Sequence, residues 1–95
     1  MRISDLPGGD LVAEGLRDAA AGRTSASALL VAIGAPRLRR LGYDAPLDVA
    51  APERRLYELL AREDAASAHG RYNALVRRLV SFERAAEAVG APRDA

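Results

Sequence analysis

Residues 65–89 read AASAHGRYNALVRRLVSFERAAEAV, a run without proline that has the spacing of one long amphipathic helix. Successive residues of an α-helix advance by about 100°, so apolar residues three or four apart share a face. One apolar stripe follows this spacing through Ala68, Tyr72, Leu75, Leu79, Phe82 and Ala86. The predicted rod is about 37 Å long and longer than a compact domain of this size is wide. This helix should be the central one against which the shorter helices pack, or its exposed end should bind a partner.

Turn and capping signals divide the rest of the chain into four shorter helices. Together with the long one, the predicted helices cover about 10–21, 26–33, 36–41, 52–62 and 65–89. Glycine ends the first and third helices and proline stands in the first turn of the third and fourth, where each residue is favoured. No segment alternates with the period of a strand. The predicted fold is therefore an all-α, irregular or orthogonal bundle of about five helices, one domain over 1–95, ending in a helical hairpin.

Several packing details also follow from the pattern. Gly15 and Ala19 make one face of the first helix shallow enough for a neighbouring helix to approach closely. The second helix is apolar on nearly every side and should be the most buried element. Tyr57 is predicted on the buried side of the fourth helix, and Leu47 and Val49 are expected to tuck in from the connector before it.

The balance of charges and the absence of cysteine exclude several functions. Arginine supplies all 14 basic residues against 13 acidic ones, which leaves a net charge of +1. Such a balance argues against the broad nucleic-acid affinity of a strongly basic domain. Cysteine chemistry is excluded, and the single histidine, His69, has no clustered carboxylates with which to complete a metal site. We predict no cofactor and no metal ion.

The apolar segments of the chain are short. Residues Met1–Asp5 lack the apolar centre of a signal peptide, and the longest apolar run, Ala28–Ile33, is far too short to cross a bilayer. The exclusive use of arginine is typical of a GC-rich genome, although selection for guanidinium forks that bind phosphate or carboxylate is an alternative. These features predict a cytoplasmic bacterial protein without a membrane partner.

A first candidate site lies in residues 25–41, where a short apolar helix and Gly34 precede the sequence PRLRRL. This layout resembles the helix-turn-helix motif of DNA-binding proteins. The resemblance implies that Arg37, Arg39 and Arg40 face phosphates or guanine edges. The recognition helix of this layout, residues 36–41, however, has barely a turn and a half. The alternative is a bundle helix whose arginines face solvent.

A second candidate is the sequence His69-Gly70-Arg71 at the start of the long helix. A histidine beside a glycine on a bundle helix resembles the histidine phosphotransfer domains of two-component signalling, which implies a phosphate acceptor at His69. Those domains carry a lysine and a second glycine after the histidine, and this chain offers only Arg71. The alternative is a partly exposed histidine without a special role.

Glu83 is a third candidate, because it falls inside the apolar arc of the long helix. A carboxylate on a packing face is costly unless it is paired. Its partner could be an arginine of another helix, such as Arg54 or Arg55, or an arginine of a second subunit. The carboxylate could also act as a general base or contact a ligand. Elsewhere, Glu58 and Arg62 have the spacing of a favourable ion pair on a helix surface.

No catalytic motif is evident in the sequence. The chain has no nucleophile–base arrangement, no glycine loop for phosphate and no pair of carboxylates with the spacing of a catalytic pair. We therefore predict a non-enzymatic protein-interaction module that forms a homodimer or binds another protein through the long helix. A DNA-binding regulator and a phosphotransfer module are the alternatives. The predicted interaction residues are Tyr72, Leu75, Leu79, Phe82 and Glu83.

Overall fold

A computed structural model of the chain describes residues 1–93. A single 3-10 turn, Ile3–Asp5, precedes five α-helices. The helices are α1 (Gly9–Ala20), α2 (Ala26–Ile33), α3 (Ala35–Arg40), α4 (Pro52–Glu63) and α5 (Ala68–Val89). The described residues contain no strand. The predicted all-α bundle of five helices with a long last helix is confirmed.

The long helix α5 passes through Gly70 without a break, as predicted, but begins three residues later than the sequence pattern indicated. Residues 65–67 form a turn instead. This turn is held by Asp64, whose carboxylate accepts the Ala66 N–H at 3.2 Å and whose carbonyl accepts the Ser67 hydroxyl at 3.4 Å. The 22 residues of α5 give a rod about 33 Å long, close to the longest dimension of the molecule, 37 Å.

The close approach predicted at Gly15 is confirmed. A Cβ atom at this position would overlap the carbonyl oxygen of Ser27 and lie 2.7 Å from the Val31 side chain. Helices α1 and α2 therefore cross with almost no space between their backbones. Helix α2 is also the most buried element, as predicted, and its cap is Ser25, whose hydroxyl accepts the Ala28 N–H at 3.1 Å.

The core draws on every helix. Its largest fully buried side chains are Val12, Leu30, Val31, Leu38, Leu56, Leu60 and Phe82. Phe82, which α5 contributes, lies against Tyr43 with ring centroids 5.7 Å apart. The Tyr43 hydroxyl in turn donates a hydrogen bond to the Pro92 carbonyl at 2.6 Å, which ties the segment after α3 to the segment after α5.

Two predictions about side-chain placement are wrong. Leu47 is 62% exposed, because Tyr43 and Ala45 already fill the inward positions of the connector; Val49, predicted beside it, is half-buried. Glu58 is paired with Arg54, at 3.6 Å, and not with Arg62. Both carboxylate and guanidinium of this pair are exposed, so it contributes little to stability.

Candidate functional site

The apolar stripe of α5 is covered unevenly by the rest of the chain. Leu79 and Phe82 are 3% and 0% exposed, whereas Tyr72 and Leu75 on the same stripe are only half-buried. The reason is the placement of the other elements. A Cβ atom on Gly8, just before α1, would meet α5 at the Arg78 backbone, and one on Gly34, between α2 and α3, would meet it at Leu79.

This packing reduces the set of predicted interaction residues that a partner could contact. Leu79, Phe82 and Glu83 lie inside the core of a single chain, where a partner does not reach them. Of the five predicted residues, Tyr72 and Leu75 retain accessible surface. A binding surface that uses this apolar stripe must therefore lie on the amino-terminal half of the helix.

One side of this half carries an aromatic cluster formed by Tyr57, His69 and Tyr72. The ring centroid of Tyr57 lies 5.8 Å from that of Tyr72 and 6.4 Å from that of His69. Tyr57 is 39% exposed, so its predicted burial is wrong. It lies on α4, and only the hairpin brings it to α5, which is why the sequence pattern of α5 alone could not reveal it. Asn73 is within 3.2 Å of the His69 imidazole.

The opposite side of the same half is a shallow depression of 210 Å³ lined by Arg71, Ala74, Leu75 and Arg78. Its two arginines are already paired within the chain. Arg71 donates to Glu63 at 2.9 Å and Arg78 donates to Asp10 at 2.7 Å. The two sides thus differ, because the depression has charged walls and the aromatic cluster contains no arginine, aspartate or glutamate.

The buried carboxylate of Glu83 forms the predicted structural ion pair, but with a different arginine. Its Oε1 lies 3.6 Å from Nη1 of Arg37 on α3, so the suggested partners Arg54 and Arg55 are wrong. The Nε of Arg37 donates to Glu87 at 2.7 Å, and one guanidinium therefore serves two carboxylates of α5. Burial raises the pKa of Glu83, and the positive charge of Arg37 opposes this effect only in part. The same arginine lowers the pKa of exposed Glu87 through its hydrogen bond.

These opposite pKa shifts predict opposite responses to pH. Both carboxyls have an ordinary pKa of 4.5. Because the folded pKa of Glu83 is higher, its contribution to the free energy of unfolding declines as pH rises above 4.5. We expect Glu83→Gln to gain stability relative to wild type between pH 4.5 and 7 in urea denaturation.

The matched variant Glu87→Gln supplies the control. The pKa of Glu87 is lowered in the folded protein, so this carboxylate stabilises the fold above pH 4.5, and the contribution is lost as pH falls through the folded pKa. Glu87→Gln should therefore be less stable than wild type by a constant amount above pH 4.5, and this deficit should shrink as pH falls below 4.5. Parallel pH curves for the two variants would contradict the assigned burial of Glu83.

The three arginines of the DNA-binding alternative do not form one free patch. Helices α2 and α3 are separated by Gly34 alone, and α3 has only six residues. Arg37 is occupied by the two carboxylates of α5, and Arg39 donates to Asp44 at 3.1 Å and to the Ala45 carbonyl at 3.0 Å. Arg40 is exposed.

The residues of the phosphotransfer alternative, His69, Gly70 and Arg71, are exposed, and their contacts do not indicate a phosphate site. His69 lies on the surface beside Tyr57 and Asn73. Gly70 has open space where a side chain would be, so no close contact explains this glycine. Arg71, the one basic residue available near the histidine, is paired with Glu63.

Within residues 1–93, no three histidine, aspartate or glutamate side chains come together closely enough to hold a metal ion. In the same range, every helix is too short or too polar to cross a lipid bilayer. Comparison of the chain with models of known protein families, with curated proteins and with solved structures gives no significant match.

Proposed function

We propose that this protein is a non-enzymatic interaction module that pairs with a second copy of itself through the amino-terminal half of α5 and the adjoining side of α4. One observation carries the proposal. The same apolar stripe that is sealed at Leu79 and Phe82 is half-exposed at Tyr72, and exposed Tyr57 lies beside it. A partner that covers these rings would complete the burial that the chain itself achieves further along the helix.

The chemistry of the aromatic cluster favours a second copy over a charged partner. In a two-fold interface the same surface meets itself, so like charges near the axis would repel each other. The cluster of Tyr57, His69 and Tyr72 contains no carboxylate and no guanidinium. Tyrosine is also enriched at interface centres, where its ring is buried and its hydroxyl stays hydrated or bonded.

The size of the molecule is compatible with this pairing. A standard interface covers roughly 800 Å² of each partner, and the accessible surface of the described residues is 5415 Å². The hairpin therefore needs to contribute only a modest part of the total surface. We place this interaction module in the bacterial cytoplasm; its basic residues are all arginine, which is typical of a GC-rich genome.

Sedimentation equilibrium at 10–100 µM tests the proposal. Wild type should form a dimer, and Tyr57→Asp should weaken dimerisation at least tenfold, because it buries a carboxylate at the two-fold axis. Leu47→Asp is the matched control. It also places a carboxylate at an exposed large apolar residue, but outside the hairpin, and should dimerise as wild type does.

Circular dichroism of both variants verifies that they remain folded. A wild-type protein that stays monomeric at 100 µM overturns the proposal. An equal loss of dimer in Tyr57→Asp and Leu47→Asp overturns the assignment of the surface to the hairpin. No second function is proposed, since Arg37 and Arg39 already bind oxygens of their own chain and no contact distinguishes His69 as a phosphate acceptor.

A further inference from the structure

A groove on another part of the molecule runs between α4 and the turn that joins α1 to α2. It has a volume of 370 Å³, within the range of small-molecule sites. The residues that line it are Thr24, Leu29, Arg55, Glu58, Leu59 and Arg62. A second depression of 180 Å³ shares three of these residues and continues towards the connector, where Pro46 and Val49 form part of its wall.

The groove contains two arginines that are not neutralised. Within residues 1–93, neither Arg55 nor Arg62 forms an ion pair. Glu58 lies between them in sequence and also lines the groove, and its carboxylate is 3.6 Å from the guanidinium of Arg54. The positions of Arg55 and Arg62 are two helical turns apart, about 10 Å along α4. Two long side chains at this separation can converge on one anion that lies between them.

Aliphatic side chains form part of the lining. Leu29, which the two depressions share, is 4% exposed, and Leu59 in the larger and Val49 in the smaller depression are half-buried. No aromatic side chain lines either depression, so a flat ring would gain no stacking partner. The two arginines suit an anionic group, and the aliphatic side chains suit a flexible hydrocarbon chain, which must pass the carboxylates of Glu58 and Asp48 in the same lining.

We propose that this groove binds an aliphatic carboxylate. The carboxylate lies between Arg55 and Arg62, whose planar guanidinium groups match its two oxygens. The alkyl chain follows Leu29 from the larger depression into the smaller one, which the two depressions permit because both are lined by Leu29 and Thr24. This site is separate from the aromatic cluster and does not depend on dimerisation.

Titration with octanoate, followed by the backbone amide signals of the ¹⁵N-labelled protein, tests the site. Octanoate should produce saturable shifts in residues 22–29 and 55–62. Acetate carries only the anionic group and octanol only the chain, so each should bind at least tenfold more weakly. The amide spectrum of each variant also verifies that its fold is intact.

Variants identify the residues responsible. Arg55→Gln and Arg62→Gln should each weaken octanoate binding roughly tenfold or more, as expected for the loss of a charge-assisted hydrogen bond. Arg84→Gln removes an exposed arginine of α5 and should leave the affinity unchanged. The proposal is overturned if octanoate gives no saturable shifts at 20 mM, if octanol binds as tightly, or if Arg55→Gln and Arg62→Gln bind like wild type.

Discussion

Phe82→Ala is expected to lower the free energy of unfolding by about 3–5 kcal/mol. Phe82 is the largest side chain with no exposed surface, and it closes the core against Tyr43. Truncation removes its buried apolar surface and leaves a cavity that neighbours on several helices cannot fill. Since domains of this size are stable by only about 5–15 kcal/mol, the loss is a large part of the total.

Urea denaturation at 25 °C measures this change as a lower midpoint with an unaltered slope. Val89→Ala is the control on the same helix, because Val89 is 48% exposed near its end. This substitution should change the free energy of unfolding by no more than about 0.5 kcal/mol. A loss below 1 kcal/mol for Phe82→Ala would show that α5 does not close the core in solution.

Gly15→Ala is expected to destabilise the protein by about 1–3 kcal/mol or more. The added methyl group would collide with the backbone carbonyl of Ser27, which cannot rotate away as a side chain could, and with Val31. Helices α1 and α2 must then separate, and the buried side of α2 would lose contacts along its length.

The same substitution at Gly70 provides the opposite case. Gly70 lies in the first turn of α5, and no atom outside the local backbone lies within 4 Å of a Cβ atom built there. Gly70→Ala should raise the free energy of unfolding by up to about 1 kcal/mol, because alanine favours the helix. Thermal denaturation of the two variants, side by side, should give shifts of opposite sign. A stabilised Gly15→Ala variant would mean that α1 and α2 are not in close contact, and a destabilised Gly70→Ala variant would mean that the position of Gly70 is not open.

The features that the sequence could predict are those that depend on neighbours along the chain. The five helices, the glycines that end them and the shallow face at Gly15 all follow from local spacing and conformational preference. The prediction that one face of α5 is apolar is also correct. The sequence pattern could not reveal which half of this face is covered by the rest of the chain. That depends on where Gly8 and Gly34 approach the helix.

The partners of charged and aromatic side chains were beyond local patterns. Arg37 and Glu87 are 50 positions apart in sequence and meet only when α3 packs against α5. Tyr57 joins the candidate surface because the hairpin places it beside Tyr72. The burial of Leu47 could not be predicted for a related reason. The inward positions of its segment are occupied by Tyr43 and Ala45, which precede it.

The position of Phe82 late in the chain has a consequence for synthesis. Translation delivers α1 to α4 first, and these helices carry the fully buried leucines Leu30, Leu38, Leu56 and Leu60. Until α5 has left the ribosome, the centre that Phe82 fills stays open and those leucines face water or one another. The nascent chain can form helices early, but its interior closes only when the last third has emerged.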